Sequence, residues 1–146
     1  MRSFKYIYLL FLFYGGSLIS FRNAAFTVNI HIRHISISLA PIKIAMYRKE
    51  DKFPDEKGYY KAFICNPDKT GESSFAISNI EAGEYAFALY QDENRNGKLD
   101  TNIFGYPKEP FCFSNNIKPL FSAPAFLNCK ILVNEPNQDI NVSLIK

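Results

Sequence analysis

The chain predicts an all-β fold, an antiparallel two-sheet sandwich of about seven strands with one long ordered loop. Three observations predict it. Apolar and polar residues alternate with period two in several short runs. Clusters of Gly, Pro, Asn and Asp separate those runs. Fourteen Phe and nine Tyr supply the large side chains that suit half-buried pleated surfaces. At 146 residues the chain has material for one domain and one core, and its 47% hydrophobic content is that of a globular protein.

In order, "FTVNIHIRHISI" sets Phe26, Val28, Ile30 and Ile32 against Thr27, Asn29, His31 and Arg33, a strand with one wet face. "APIKIAMYR" repeats the pattern with Ile42, Ile44 and Met46 inward. The polar "KEDKFPDEKG" reads as a connection, because Pro54 disfavours helix at Phe53. "YYKAFIC" gives a third strand before the turn cluster "NPDKTGE". "SSFAISNI", the turn "EAG" and "EYAFALYQ" together read as a hairpin. From Asp92 to about Ala125 no period holds, and Pro107, Pro110, Pro119 and Pro124 punctuate a loop whose aromatic residues can anchor it to the sandwich. "AFLNCKILVN" and "DINVSLIK" supply the last two strands.

Residues 1–25 read as an export signal. Arg2 and Lys5 precede the uncharged apolar run Tyr6 to Ser20, with small-residue exits near 20 and 25. Arg22 cuts the run short of the length a spanning helix wants, so the expectation is no membrane span once the signal is removed, with an uncleaved anchor as the other reading. Residues 26–146 are then a single secreted or periplasmic domain. Its charge is balanced: losing Arg2, Lys5 and Arg22 from seventeen basic residues leaves fourteen, against fourteen acidic ones. With no basic block, nucleic acid is excluded as a partner class. Cys65, Cys112 and Cys129 allow one disulfide in three pairings, or three buried thiols, and their spacing suits no zinc motif.

The stretch "QDENRNGKLD" points to chemistry. Counting Asp92 as position one, oxygen-bearing side chains fall at one, three, five and nine: Asp92, Asn94, Asn96 and Asp100. Gly97 stands at position six for a sharp bend, and the Lys98 main-chain carbonyl is offered at seven. An EF-hand calcium loop places oxygens at these positions, because a hard cation takes six to eight of them. Position twelve is Ile103 instead of Glu, and neither flank is helical, so Asn102 or Glu109 would have to complete the shell. Two formal charges place affinity in the weak extracellular range, about 10⁻⁴ to 10⁻³ M. The competing reading is a turn whose Asn and Asp side chains satisfy their own backbone.

"FAISNIEAGEYAFAL" resembles the hairpin of prealbumin-like and collagen-adhesin-type sandwiches, with Gly83 supplying the backbone angle of the turn. The longer "GEYAFALYQDENRNGKLDTNIFGYPKEPFCFSNN" is similar to the signature of an exported bacterial family known as domain of unknown function 2141. Gly83, Tyr85, Ala86, Asp92, Asn94, Asn96, Gly97, Lys98, Asp100, Asn102, Gly105, Pro107, Lys108, Glu109, Phe113, Ser114, Asn115 and Asn116 match it. Cys112 departs from it, standing where the family has Gly; a positive φ there would strain a cysteine. The resemblance implies export and fold but no activity.

The functional expectation is a non-enzymatic binding or accessory module for a glycan, a peptide or an envelope protein, with calcium in its loop. Tyr106, Lys108, Glu109, Ser114, Asn115 and Asn116 are candidates for lining a groove, or alternatively for ordering the loop itself. The alternative function is a prealbumin-like hydrolase of small molecules. It finds little support, since His31 and His34 are the only histidines and would face opposite sides of one strand.

Overall fold

The structure, a computed structural model, describes residues 25–120 and 122–146. The export signal read over residues 1–25 therefore lies, Ala25 apart, outside the described residues. No described helix is long and apolar enough to cross a membrane.

Two sheets face each other. The first orders β4 (Gly71–Ile80), β1 (Phe26–Ile35) and β8 (Asn137–Ser143). The second orders β3 (Lys61–Cys65), β2 (Ile42–Tyr47) and β5 (Gly83–Gln91). The free side of β5 is shared by two short strands, β7 (Ile131–Val133) against its start and β6 (Phe111–Phe113) against its end. The alternation expected in the first two runs holds: Val28, Ile30 and Ile32 meet Ile42, Ile44 and Met46 in the core between the sheets.

β1 keeps its inward face by bulging. Ile32 and Ile35 are both buried although three residues apart, because His34 is an extra residue at φ 61° where the register with β4 shifts. Asn79, at φ 60°, does the same in β4, so that Ile77 and Ile80 both point inward.

The two-sheet, mainly antiparallel sandwich is as expected, with eight strands among the described residues and one parallel pair, β1 with β8. Other expectations need correction. β4 and β5 do not form a hairpin; they belong to different sheets. The connection is a corner. Tyr85 donates its hydroxyl back to Glu81 O at 3.1 Å, and its ring lies over Gly83, 3.5 Å from where a Cβ would stand. Gly83 does not supply an unusual angle, since it is not among the positive-φ glycines, and a Cβ there would meet the Tyr85 ring at ordinary contact distance.

The expected strand "AFLNCKILVN" opens with one helical turn, α1 (Phe126–Cys129), before β7. The long loop also contains β6 and a 3₁₀ turn at Ser114–Asn116. Cys112 sits in regular extended backbone of β6 opposite Leu89, so no strain arises there. All three cysteines are free and buried.

β6, α1 and the residues around them cover the outer face of the second sheet. Phe111, Phe113 and Cys129 pack there on Ala86, with Phe53, Tyr90 and Phe126 around them. Phe53 meets Tyr47, Phe113 and Phe126 edge-on at 5.0, 5.8 and 6.2 Å. β5 is therefore covered on both faces, which is why its sequence reads as a continuous apolar run.

Candidate functional site

β5 ends at Gln91, whose buried amide is tied to the β1–β2 connection: Oε1 accepts the Ser36 N–H at 2.9 Å and Nε2 donates to Ala40 O at 3.3 Å. Asp92 follows, donating its N–H to Pro41 O at 2.9 Å. It is only 2% exposed. Its Oδ1 accepts the Asn96 N–H at 3.0 Å and its Oδ2 the Gly97 N–H at 2.9 Å. The bend that brings those donors round requires positive φ at Arg95 and Gly97, 59° and 79°. The backbone is wrapped about one buried carboxylate.

Three further predicted residues meet on one atom. Asn94 and Asn96 each donate an amide N–H to Asp100 Oδ2, at 2.5 and 3.0 Å. Their own carbonyl oxygens are turned to the main chain, Asn94 Oδ1 to the Asn96 N–H and Asn96 Oδ1 to the Lys98 N–H. Asn102 stands apart: its Oδ1 accepts the Phe104 and Tyr106 N–H groups and closes the small turn across the Thr101–Pro107 bridge. Ile103 projects from that turn into solvent. Glu109 returns to the loop. Its Oε2 accepts the Asp100 N–H at 3.1 Å, while its Oε1 is buried with no hydrogen-bond partner.

The electrostatics are lopsided. Glu109 is 5% exposed, and neither it nor Asp92, Asp100 or Glu56 takes part in an ion pair among the described residues. Burial pushes the Tyr90 hydroxyl pKa above the ordinary tyrosine value, and the charges of Glu56, Asp92 and Glu109 push it further. Three carboxylates therefore act on one tyrosine. No three His, Cys, Asp or Glu side chains among the described residues stand close enough to hold an ion by themselves. A cation here would lean on Asp92 or Asp100 together with amide and main-chain oxygens, each of which keeps a second lone pair beyond the hydrogen bond it accepts.

The same segment walls a cleft of about 790 Å³ on the outer face of the second sheet. Its floor is a row of alanines, Ala62, Ala45 and Ala88, which are direct cross-strand partners on β3, β2 and β5. The next row holds Ile64, Lys43 and Tyr90. Gly97, Leu99, Phe104 and Tyr106 form a wall from the loop, with the Tyr106 ring edge-on to Phe111 at 5.6 Å. Glu56 ties the wall to the sheet side, its Oε1 accepting the Leu99 N–H at 3.2 Å. Apolar side chains stand open at the mouth: Phe104 is 88% and Leu120 84% exposed.

The residues named for a groove are not brought together. Tyr106 lines the cleft and Lys108 is exposed. Ser114 is buried, its Oγ accepting the Phe87 N–H at 2.9 Å and donating to Cys129 O. Asn115 donates to Asn128 O and Lys130 O, and Asn116 exchanges bonds with β8 through Asn141 O and the Ser143 N–H. These three staple the loop end to β5, α1 and β8.

Sequence reasoning missed one contact. His31 lies between Ser74 Oγ, 2.9 Å from Nδ1, and Asp139 Oδ1, 3.2 Å from Nε2. β1 carries the histidine while β4 and β8 carry its partners. No spacing in the chain foretells a contact across separations of 43 and 108 residues. His34, at its bulge, lines a different small cavity with Cys112 and Ile145.

The model of the family described as an uncharacterized protein conserved in bacteria, domain of unknown function 2141, matches residues 30–141. The chain belongs to this family. The matched span runs from within β1 to within β8, so it takes in the loop, the cleft and both sheets. No curated protein and no solved structure matches the chain.

Proposed function

We propose that this family member is an exported, non-enzymatic binding module of the cell envelope whose loop 92–109 holds a calcium ion and, so ordered, forms one wall of a ligand cleft. One observation supports this above the others: a single segment does both jobs. Asp92 and Glu109 bury charge without an ion pair among the described residues, while Gly97, Leu99, Phe104 and Tyr106 between them face the cleft. Buried carboxylates are costly unless paired or bound to metal, so a cation is the natural complement. Asn94, Asn96 and the Lys98 carbonyl would supply its neutral oxygens. Two carboxylates would supply the charged ones, Asp100 with either Asp92 or Glu109, since no three acidic groups among the described residues stand close enough to share one ion. Asn102 is turned to the Phe104 and Tyr106 N–H groups instead. Affinity would be weak, as suits calcium outside the cell.

The test is a melting curve taken in chelator and in millimolar calcium. Calcium raises Tm, because a ligand of the folded state stabilises it by mass action. Asp100→Asn reduces the rise. An unchanged Tm in calcium, or an undiminished rise in Asp100→Asn, defeats the reading.

A hydrolase is the second reading, and the Ser74–His31–Asp139 contact is the observation in its favour. Its environment argues against it. His31 and Asp139 are 41% and 63% exposed on the wet face of a sheet, where water screens the charges a transition state develops. Cross-strand hydrogen bonding of a solvated sheet face accounts for the geometry.

A further inference from the structure

Beyond the calcium loop, the cleft has a chemistry of its own. Its floor is the alanine row, which leaves room for a chain or ring where larger side chains would fill it. Among the described residues its one cation is Lys43, half-buried on the central strand β2 between Ile64 and Tyr90. Lys43 makes no ion pair and no side-chain hydrogen bond among the described residues. Among the described residues the one carboxylate in the lining is Glu56, whose Oε1 accepts the Leu99 N–H and which forms no ion pair with Lys43. An ammonium beside an apolar surface gives up hydration and gains most from an anion that arrives with its own apolar body.

We propose that the cleft binds an amphipathic carboxylate, an aliphatic chain with one acid end, with the chain laid over Ala62, Ala45 and Ala88 and the acid on Lys43. The volume of about 790 Å³ falls within the usual size of ligand pockets. Phe104 and Leu120 stand exposed at the mouth, where an incoming chain would cover them. This inference rests on the reading that the cleft is the binding site, but not on the ion.

The test uses the full-length protein in chelator, with 1-anilinonaphthalene-8-sulfonate as fluorescent probe and octanoate, decanoate and decanol as competitors. Decanoate displaces the probe, more tightly than octanoate by about fourfold per added methylene, and more tightly than decanol by at least tenfold. Lys43→Met removes the preference for decanoate over decanol, and Lys43→Arg keeps it. Ala45→Leu, which fills the floor, weakens both competitors alike. Equal binding of decanoate and decanol to the wild-type protein overturns the assignment of Lys43 while leaving the cleft as a site. Failure of every competitor to displace the probe overturns the cleft itself. Because Lys43→Arg and the decanol comparison do not depend on Ala45→Leu folding, the outcome is readable in either case.

Discussion

Glu109→Gln separates a calcium loop from a merely polar turn by the sign of its effect. The substitution keeps the shape of the side chain and an oxygen to accept the Asp100 N–H, the bond Oε2 now makes at 3.1 Å. It removes the charge from a group that is 5% exposed and has one oxygen without a partner. Leaving a buried polar group unsatisfied costs about 1–3 kcal/mol, and more for a charged one. In chelator, Glu109→Gln should therefore stabilise the protein by about 1–2 kcal/mol, or several degrees in Tm for a domain of this size. In calcium the order reverses. The wild-type protein gains about 2.7 kcal/mol when calcium stands at a hundred times its Kd, and the variant loses most of that gain. The assay is thermal unfolding of both proteins at matched ionic strength, with magnesium as a control for charge screening. If Glu109→Gln is destabilising in chelator, the carboxylate is not an uncompensated charge. If both proteins respond equally to calcium, Glu109 does not hold the ion.

Ser114→Ala deprives the buried Phe87 N–H of its acceptor and Cys129 O of its donor, and should cost about 2–4 kcal/mol in denaturant unfolding; a loss under 1 kcal/mol would mean water replaces the hydroxyl. On the acid side, burial alone would raise the Asp51 carboxyl pKa, but hydrogen bonds from the Arg48 side chain and main chain outweigh it and hold it below the ordinary value of 3.8. A depressed carboxylate contributes stability above its unfolded pKa and loses it as pH falls through the folded one. Tm should therefore drop as pH falls below about 4, less steeply in Asp51→Asn, and parallel curves for the two proteins would refute the linkage. Burial raises the Cys65 thiol and the Cys112 thiol and pushes Cys129 up to about 11, leaving about a hundredfold fewer Cys129 thiolates than an ordinary cysteine has. A disulfide reagent at pH 8 should consume three thiols in denaturant and almost none in the native protein. Fewer than three in denaturant would reveal a bridge.

The sequence carries the sandwich in its alternation, since which residues face inward is a property of each strand alone. Which strand pairs with which is not. β4 and β5 both face the core, and a two-residue turn between them looks like a hairpin from pattern alone. What decides otherwise is the Tyr85 hydroxyl bound to Glu81 O, a contact that turns the chain from one sheet to the other. The parallel union of β1 with β8 joins the two ends of the domain, beyond the reach of local signals. β6 escaped notice because Phe111–Phe113 is too short to show a period. The bend at Gly97 was legible because the backbone demand is local, as was the crowding of Asn94, Asn96 and Asp100. The burial of Ser114 was not, since a hydroxyl inside a run of turn-forming residues looks the same in a core as on a surface.

Ion and ligand should then be coupled, because one segment of chain serves both. If calcium fixes residues 92–109, the wall formed by Gly97, Leu99, Phe104 and Tyr106 is fixed with them, and a ligand that packs on that wall no longer bears the cost of ordering it. Coupling free energy is reciprocal, so the factor by which calcium tightens the fluorescent probe must equal the factor by which the probe tightens calcium. A typical value is about 5-fold or more. Both halves can be measured by titration, and Glu109→Gln should abolish them together. Probe affinity that ignores calcium would show that the wall is ordered without the ion, held by Asp92 on the Asn96 and Gly97 N–H groups and by Glu56 on the Leu99 N–H.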